Sequence, residues 1–258
     1  IVLSSDTDTT PFDVGAYASS TTYVSGTAVL NASLDVAEQI KRRACMIFAD
    51  RGFEFSSEDI QLKDKHAVAP NGDRVSLATI ALDSLHWRQQ EQIMATASYV
   101  SPNSPPPFAA QFATVVVDIE TGEVTVEDLI MAVDSGVIIN PITASAQIEG
   151  GIAQALGYGV CEEMVYDENG VAREIDLVDY HIFRADEMPK IKTIFVETYE
   201  KTGPYGAKAV AEIPLDGAAP AIGNAVFNAC GVDLLEIPIV PEKVLRELKL
   251  MTEETDAI

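Results

Sequence analysis

The chain has 258 residues, 47% of them apolar, and its 40 Asp and Glu against 17 Lys and Arg leave a net charge of -23. That apolar share excludes a disordered chain and is enough to build one large or two modest domains. So acidic a chain has no basic stripe with which to displace counterions from nucleic acid, and an anionic membrane surface repels it.

The sequence opens without Met on Ile1-Val2-Leu3, which reads as a strand, so a trimmed or longer parent chain is expected. A polar loop, Ser4 to Gly26, follows. From Thr27 to Asp50 the residues Val29, Ala32, Val36, Ile40, Ala44 and Ile47 recur at helical spacing, and Gly52 is placed to end that helix. Short strands are expected at Asp59–Leu62 and Ala67–Val68, then a turn at Asn71-Gly72 and a helix capped by Ser76 running through Leu85. Ser101 to Pro107 holds four prolines and marks a boundary, which predicts subdomains over 1–105 and 106–258.

Beyond it, Phe112–Ile119 and Val124–Val133 flank Thr121-Gly122 as a hairpin. Asn140-Pro141 breaks the second strand, and Thr143 is expected to cap a helix from Ala144 to about Val160. A second hairpin is expected at Asn169-Gly170, a strand at Lys192–Thr198, a small-residue helix from about Gly217 to Ala229 and a last helix, Pro241–Leu248, before a frayed acidic tail. The mixture predicts an α+β fold with antiparallel hairpins and packed helices.

Cys45, Cys161 and Cys230 are too sparse for a disulfide framework, and no apolar run is long enough to cross a bilayer. A cytoplasmic protein is expected. His66, His86 and His181 have no metal-site spacing, and neither a nucleophile elbow nor a phosphate-binding loop is present.

Three stretches stand out. Asp6 to Tyr23 is dense in hydroxyls and small residues ahead of a helix, which suits an anion cradle and equally a capping loop. Ile139-Asn140-Pro141 leads into Gln147-Ile148-Glu149-Gly150-Gly151 and Gln154-Ala155-Leu156-Gly157; glycines this frequent in a helix fit close packing against a neighbour or a bulky ligand. Gln147 offers a donor and an acceptor, as the edge of a pterin or a base requires. Gly203 to Pro214 places Glu212 after small, apolar residues; buried there, its carboxyl would be raised and suited to act as a base, whereas a glutamate in an open loop is simply solvated.

In this order the stretches resemble the molybdenum-binding subunit of the xanthine dehydrogenase family of molybdenum hydroxylases. Asp6 to Ser19 matches D-T-D-x-T-P-x-D-x-G-x-x-A-S, Ile139 to Gly157 matches I-N-P…Q-I-E-G-G-x-x-Q-x-L-G, and Gly206 to Pro214 matches G-x-K-A-V-x-E-x-P. The resemblance spans nearly the whole chain but only the C-terminal part of that subunit, and implies its molybdopterin-binding fold. It implies that main chain around Ala18, with Gly15, Tyr17, Ser19 and Ser20, contacts molybdopterin. It implies also that Gln147 binds the pterin and that the molybdenum is held through molybdopterin near Ala18, with no direct protein ligand. Glu212 then becomes the base acting on a metal-bound hydroxyl, with hydride passing to a sulfido or selenido ligand during water-dependent hydroxylation of an N-heteroaromatic substrate such as a purine or nicotinate. Aldehyde- or carbon-monoxide-oxidising and aromatic-thioester-reducing relatives, and a non-catalytic cofactor-binding subunit, are the alternatives.

The chain departs from the family where Ala211-Glu212-Ile213-Pro214 replaces the frequent G-E-P-P and where Ser19-Ser20 replaces Ser-Arg. It also lacks the family's N-terminal glutamine loop, its substrate-orienting Arg and Phe segments and its cluster cysteines. The resemblance is therefore to the second piece of a split molybdenum subunit, with the cytosine dinucleotide form of the cofactor. FAD and [2Fe-2S] clusters would lie on flavin and iron–sulfur partner subunits, and another chain would supply the remaining half of the molybdenum subunit.

Overall fold

The computed structural model describes residues 6–10, 12, 15–87 and 89–256. Ile1–Leu3, where a strand is expected, and Pro11, Asp13 and Val14 of the first motif lie outside them. The chain divides into two compact units, one made of the residues up to Thr21 with 103–258, the other of 22–102. Residues up to Thr21 thus group with the second half of the chain and not with the helix they precede, a departure from a first subdomain over 1–105. The physical reason is the side chain of Ser19, which bonds to the backbone of Glu212.

In the smaller unit, α1 (Gly26–Asp50) is followed by an antiparallel meander β1 (Gln61–Lys63), β2 (His66–Val68) and β3 (Arg74–Ser76), and then α2 (Leu77–His86). Gly52 ends α1 with φ +85° and an N–H donated to the Ala49 carbonyl, and the Ser76 hydroxyl caps α2 by accepting the Thr79 N–H at 3.1 Å. The expected apolar stripe of α1 is buried only in its second half. Ala44 and Phe48 join Ile60, Ala67, Val75 and Ile80 in the core, whereas Val29 is 52% exposed. Arg43, 1% exposed, is paired with Asp83 and donates to the main-chain carbonyls of Asp83 and Gln89. A buried guanidinium needs this full set of acceptors, since an uncompensated charge there would cost several kcal/mol.

The larger unit is built on a three-stranded sheet, β4 (Phe108–Val117), β5 (Val124–Asp134) and β6 (Lys190–Phe195). β4 and β5 form the expected hairpin, with an irregularity between Thr114 and Val115. β6, whose direction and partner the sequence does not specify, runs parallel to β5, because α3 (Pro141–Val160) makes the crossover a parallel pair requires. At Asn169-Gly170 the expected second hairpin is reduced to one bridge, Tyr166 to Ala172. Asn140, not Thr143, caps α3: its Oδ1 accepts the N–H groups of Ile142 and Thr143, and Pro141 takes the first helical position, where its missing N–H is no loss. α4 (Ile213–Cys230) begins directly after Glu212, four residues earlier than its small-residue run suggests, and α5 (Pro241–Asp256) extends through the expected frayed tail.

Leu129, Met131 and Val133 of β5 form the core with Ile148, Ile152 and Leu156 of α3 and Ile222 and Val226 of α4. The helices approach closely because Gly151 and Gly159 lack side chains: a Cβ on Gly151 would stand 2.8 Å from the Pro214 ring, and one on Gly159 3.2 Å from Ala219 Cβ. Gly150, its neighbour, faces open space. No helix among the described residues is long and apolar enough to cross a membrane.

Adjacent glycines should therefore respond with opposite signs in denaturant unfolding. Gly151→Val should destabilise by about 2 kcal/mol through overpacking, while Gly150→Ala should stabilise by up to about 1 kcal/mol through helix propensity.

Candidate functional site

The loop before α1 holds its shape with short-range bonds. Tyr17 N–H donates to the Gly15 carbonyl at 3.2 Å, and the N–H and hydroxyl of Ser20 both donate to the Tyr17 carbonyl, at 3.2 and 2.8 Å. Between them Ala18 (φ 51°) and Ser19 (φ 56°) are both left-handed. Consecutive non-glycine residues in this region cost of order 1 kcal/mol each and persist only where surrounding contacts fix them. The fixing contact is long-range: Ser19 Oγ accepts the backbone N–H of Glu212 at 2.8 Å.

The segment carrying Glu212 is anchored upstream. Lys208, 7% exposed, sends its ammonium to Asp134 Oδ2 at 2.9 Å and to the Pro106 carbonyl at 3.2 Å. Asp134 also accepts from the Thr198 hydroxyl at 2.6 Å and from the Gly136 N–H at 3.0 Å. Partial burial alone would raise the Asp134 carboxyl. The hydrogen bonds from Thr198, Lys208 and Gly136, with the charge of Lys208, outweigh it and hold the group below the usual carboxylate range. Main-chain bonds join the same two stretches: Val137 N–H to the Gly206 carbonyl, and Lys208 N–H to that of Ser135, both at 2.8 Å. Gly206 is required twice over, by φ +89° and by the Tyr199 ring 2.6 Å from where a Cβ would stand.

From that anchor the chain runs to Glu212, which stands exposed at the N-terminal boundary of α4. The burial that would mark it as a base is not provided by this chain. The positive end of a helix nevertheless favours a negative charge, and a base must be anionic to take a proton. Gln147, exposed on α3, donates from Nε2 to the Ala211 carbonyl at 3.3 Å.

The three sequence motifs thus converge: Ser19 meets Glu212, and Gln147 meets Ala211. Ala18 and Ser20 flank Ser19 in the loop, while Gly15 and Tyr17 shape its approach. Lys208 and Asp134 have no part in the expected site, and they anchor its loop. A lysine inside a run of small residues is the one signal in the sequence that could have pointed to such a burial. Two of the three histidines are engaged elsewhere, His181 with Glu187 at 3.2 Å and His66 with the Asp64 carbonyl at 2.7 Å. Burial, with Glu162 and Glu187 nearby, pushes the Cys161 thiol up to about 11, which leaves it mostly protonated and a poor nucleophile near neutral pH.

The donor set fits the hydrogen-bonding edge of a pterin. Ser19 supplies a hydroxyl beside a left-handed backbone turn, Ser20 offers only an acceptor oxygen because its hydrogen is given to the Tyr17 carbonyl, Gln147 keeps a second N–H and an oxygen beyond its bond to Ala211, and Gly150 leaves the adjacent helix surface without a side chain. Among the described residues no group of three or more His, Cys, Asp or Glu side chains is arranged to hold a metal ion.

Comparison with known proteins agrees with this chemistry. Residues 1–189 match the molybdopterin cofactor-binding domain. The chain belongs to that family, and with it to the molybdenum-binding subunits of the xanthine dehydrogenase family. It is 34% identical to the probable hypoxanthine oxidase XdhD of Escherichia coli over 96% of its own length and 26% of that protein's. It is 33% identical to the putative xanthine dehydrogenase molybdenum-binding subunit XdhA of the same organism, over 97% of its length and 33% of the relative's. Quinoline 2-oxidoreductase from Pseudomonas putida 86 superposes with a TM-score of 0.83 at 27% identity, covering 94% of this chain and 32% of that one. The chain therefore spans a third or less of the relatives it matches. Glu212 lies beyond the stretch matched to the family domain.

Lys208→Met should cost about 3 kcal/mol at pH 7, because it leaves Asp134 charged and partly buried without its cation. In the wild type the Asp134 contribution is complete above the ordinary carboxylate pKa and lost as pH falls through its lower folded value. The stability gap between the two proteins, measured by denaturant unfolding, should thus narrow as pH is taken below about 4.

Proposed function

We propose that this chain supplies the catalytic base and part of the molybdopterin cradle to a molybdenum hydroxylase that hydroxylates an N-heteroaromatic carbon. The observation that carries the reading is the hydrogen bond from Glu212 N–H to Ser19 Oγ, which ties the carboxylate-bearing segment to the loop resembling the family's cofactor motif. Main chain around Ala18, with Gly15, Tyr17, Ser19, Ser20 and the amide of Gln147, would hold the pterin. When bound, the molybdenum cofactor supplies two-electron oxidation of the substrate carbon with water as the oxygen source.

The chain's own residues account for position and proton transfer. Ser19 spends one lone pair on Glu212 N–H and keeps its hydroxyl hydrogen for the cofactor. Gln147 holds the Ala211 carbonyl and so fixes the backbone one residue before the base. The Glu212 carboxylate accepts the proton released as oxygen is transferred to the substrate. The small residues around it, Ala209 and Ala211, leave its approach unobstructed.

A purine or nicotinate-like substrate is favoured by the likeness of the chain to a probable hypoxanthine oxidase and to a nicotine 6-hydroxylase large subunit. The cytosine dinucleotide form of the cofactor, FAD and [2Fe-2S] clusters on flavin and iron–sulfur partner subunits, and a chain supplying the rest of the molybdenum subunit complete the proposed assembly. A cytoplasmic location fits three free cysteines.

In the purified complex, Glu212→Gln should lower turnover by about 10²–10⁴-fold with molybdenum content unchanged. Retained activity would remove Glu212 from the mechanism. Turnover of hypoxanthine, xanthine or nicotinate is expected; a complex that oxidises simple aldehydes alone would overturn the heteroaromatic assignment.

A further inference from the structure

The row of β4 that faces the core contains an amide among apolar side chains. Ala113, Val115 and Val117 pack against the core, whereas Gln111 stands in register with the fully buried Met131. Its side chain is spent on a helix: Nε2 donates to the Pro214 carbonyl at 2.8 Å, and Oε1 is buried without a hydrogen-bond partner among the described residues. An orphaned buried acceptor carries a desolvation cost that an apolar side chain of the same length would avoid. The fold also makes room for the amide, since a Cβ on Gly217 would stand 2.9 Å from Gln111 Cδ. Tyr158, near the end of α3, makes the neighbouring contact, its hydroxyl donating to the Leu215 carbonyl at 2.5 Å. Burial, with the charge of Asp216, pushes the pKa of that hydroxyl up, so it stays protonated and able to donate near neutral pH.

Both acceptors lie in the first turn of α4, and that turn is poorly held by its own helix. Pro220 lies inside α4 and has no N–H, so the Asp216 carbonyl loses its helical partner and the ladder is interrupted just after the first turn. Glu212 is tied to this turn, because Leu215 N–H donates to the Glu212 carbonyl at 3.0 Å. Side chains from elsewhere therefore grip the backbone between Ala211 and Leu215 at four points: Gln147 at the Ala211 carbonyl, Ser19 at Glu212 N–H, Gln111 at the Pro214 carbonyl and Tyr158 at the Leu215 carbonyl. Gln111 and Tyr158 lie outside the three stretches that resemble the family's motifs. We propose that Gln111 and Tyr158 are positioning residues for the reaction, bracing the first turn of α4 so that the Glu212 carboxylate is held where it must accept its proton. The inference rests on the proposed role of Glu212 as the base. Each residue acts through the backbone of the turn and takes no proton itself. A base displaced by about 1 Å can lose about 10²-fold in rate, so a brace of this kind matters more to turnover than to folding.

The test measures turnover per molybdenum atom and KM in the purified complex, with whichever of hypoxanthine, xanthine, nicotinate or a simple aldehyde it oxidises fastest. Tyr158→Phe removes one hydroxyl and keeps the ring; Gln111→Met removes the amide and keeps the length of the side chain. Each should lower kcat about tenfold with KM and molybdenum content unchanged. Gln39→Met, which deletes a comparable hydrogen bond to the Met94 carbonyl within the smaller unit, should leave kcat at the wild-type value. Added to Glu212→Gln, the two substitutions should lower the residual turnover no further, because a brace acts only through the group it positions. Wild-type kcat in one variant removes that residue from the brace, and wild-type kcat in both overturns the proposal. An equal tenfold fall in the Glu212→Gln background would also overturn it, as would the same fall in Gln39→Met or a loss of activity fully accounted for by lost molybdenum, since each marks a merely structural role. Wild-type turnover in Glu212→Gln itself would instead overturn the role of Glu212 on which the inference rests.

Discussion

The ion pair between Lys208 and Asp134 fixes the geometry on which the candidate site depends. Asp134 ends the central strand β5, and Lys208 lies four residues before Glu212, so one contact locks the segment carrying Glu212 to the most buried strand of the larger unit. The pair holds its place because its polar atoms are well supplied: Thr198 and Gly136 complete the carboxylate, and the Pro106 carbonyl takes part of the ammonium. A pair taken out of water is neutral or costly unless such partners accompany it. Its contribution is best understood as placement. It sets where the next four residues run, and Ser19 and Gln147 then meet that run at Glu212 N–H and the Ala211 carbonyl.

Close backbone approach is the second constraint, and it serves packing and site at once. Gly151 and Gly159 bring α3 against α4, which aligns Gln147, one turn before Gly151, with the segment that leads into α4. Gly150 is not used in that packing and leaves the outer surface bare. The two explanations for glycine in this helix, packing and ligand approach, are thus divided between adjacent residues. On the proposed reading, overfilling Gly151 disturbs the fold, whereas filling Gly150 disturbs what binds.

Local signals in the sequence were good guides to local structure. Gly52 ends α1 and Ser76 caps α2, because each acts within one helical turn of where it stands. Asn140 displaced Thr143 as the cap of α3 because the proline after it fits the first helical position, a preference that a hydroxyl three residues later does not outweigh. The parallel pairing of β6 was not legible, since an apolar run of that length carries no direction and its partner lies 62 residues away. Nor was the ion pair, whose members are separated by 74 residues and share no periodic pattern. The resemblance selected Ser19, Gln147 and Glu212, and the fold supplied their contacts, which no spacing in the chain encodes.

The acidity of the chain bears on the site as well. A base that must hold its negative charge in a chain of net charge -23 is opposed by its surroundings unless local groups offset them. The N-terminal end of α4 provides such an offset at Glu212 itself. Its amide dipoles are fixed, already oriented before any ligand arrives, and so require no rearrangement when charge develops. Dipoles of this kind act weakly on an exposed carboxylate and strongly once water is excluded. In the described chain Glu212, Gln147 and Ala18 are all exposed. On the proposed reading, the step that gives these dipoles their strength is the closure of the site by cofactor and by the rest of the molybdenum-binding unit, so the electrostatics prepared in this chain become effective only on assembly.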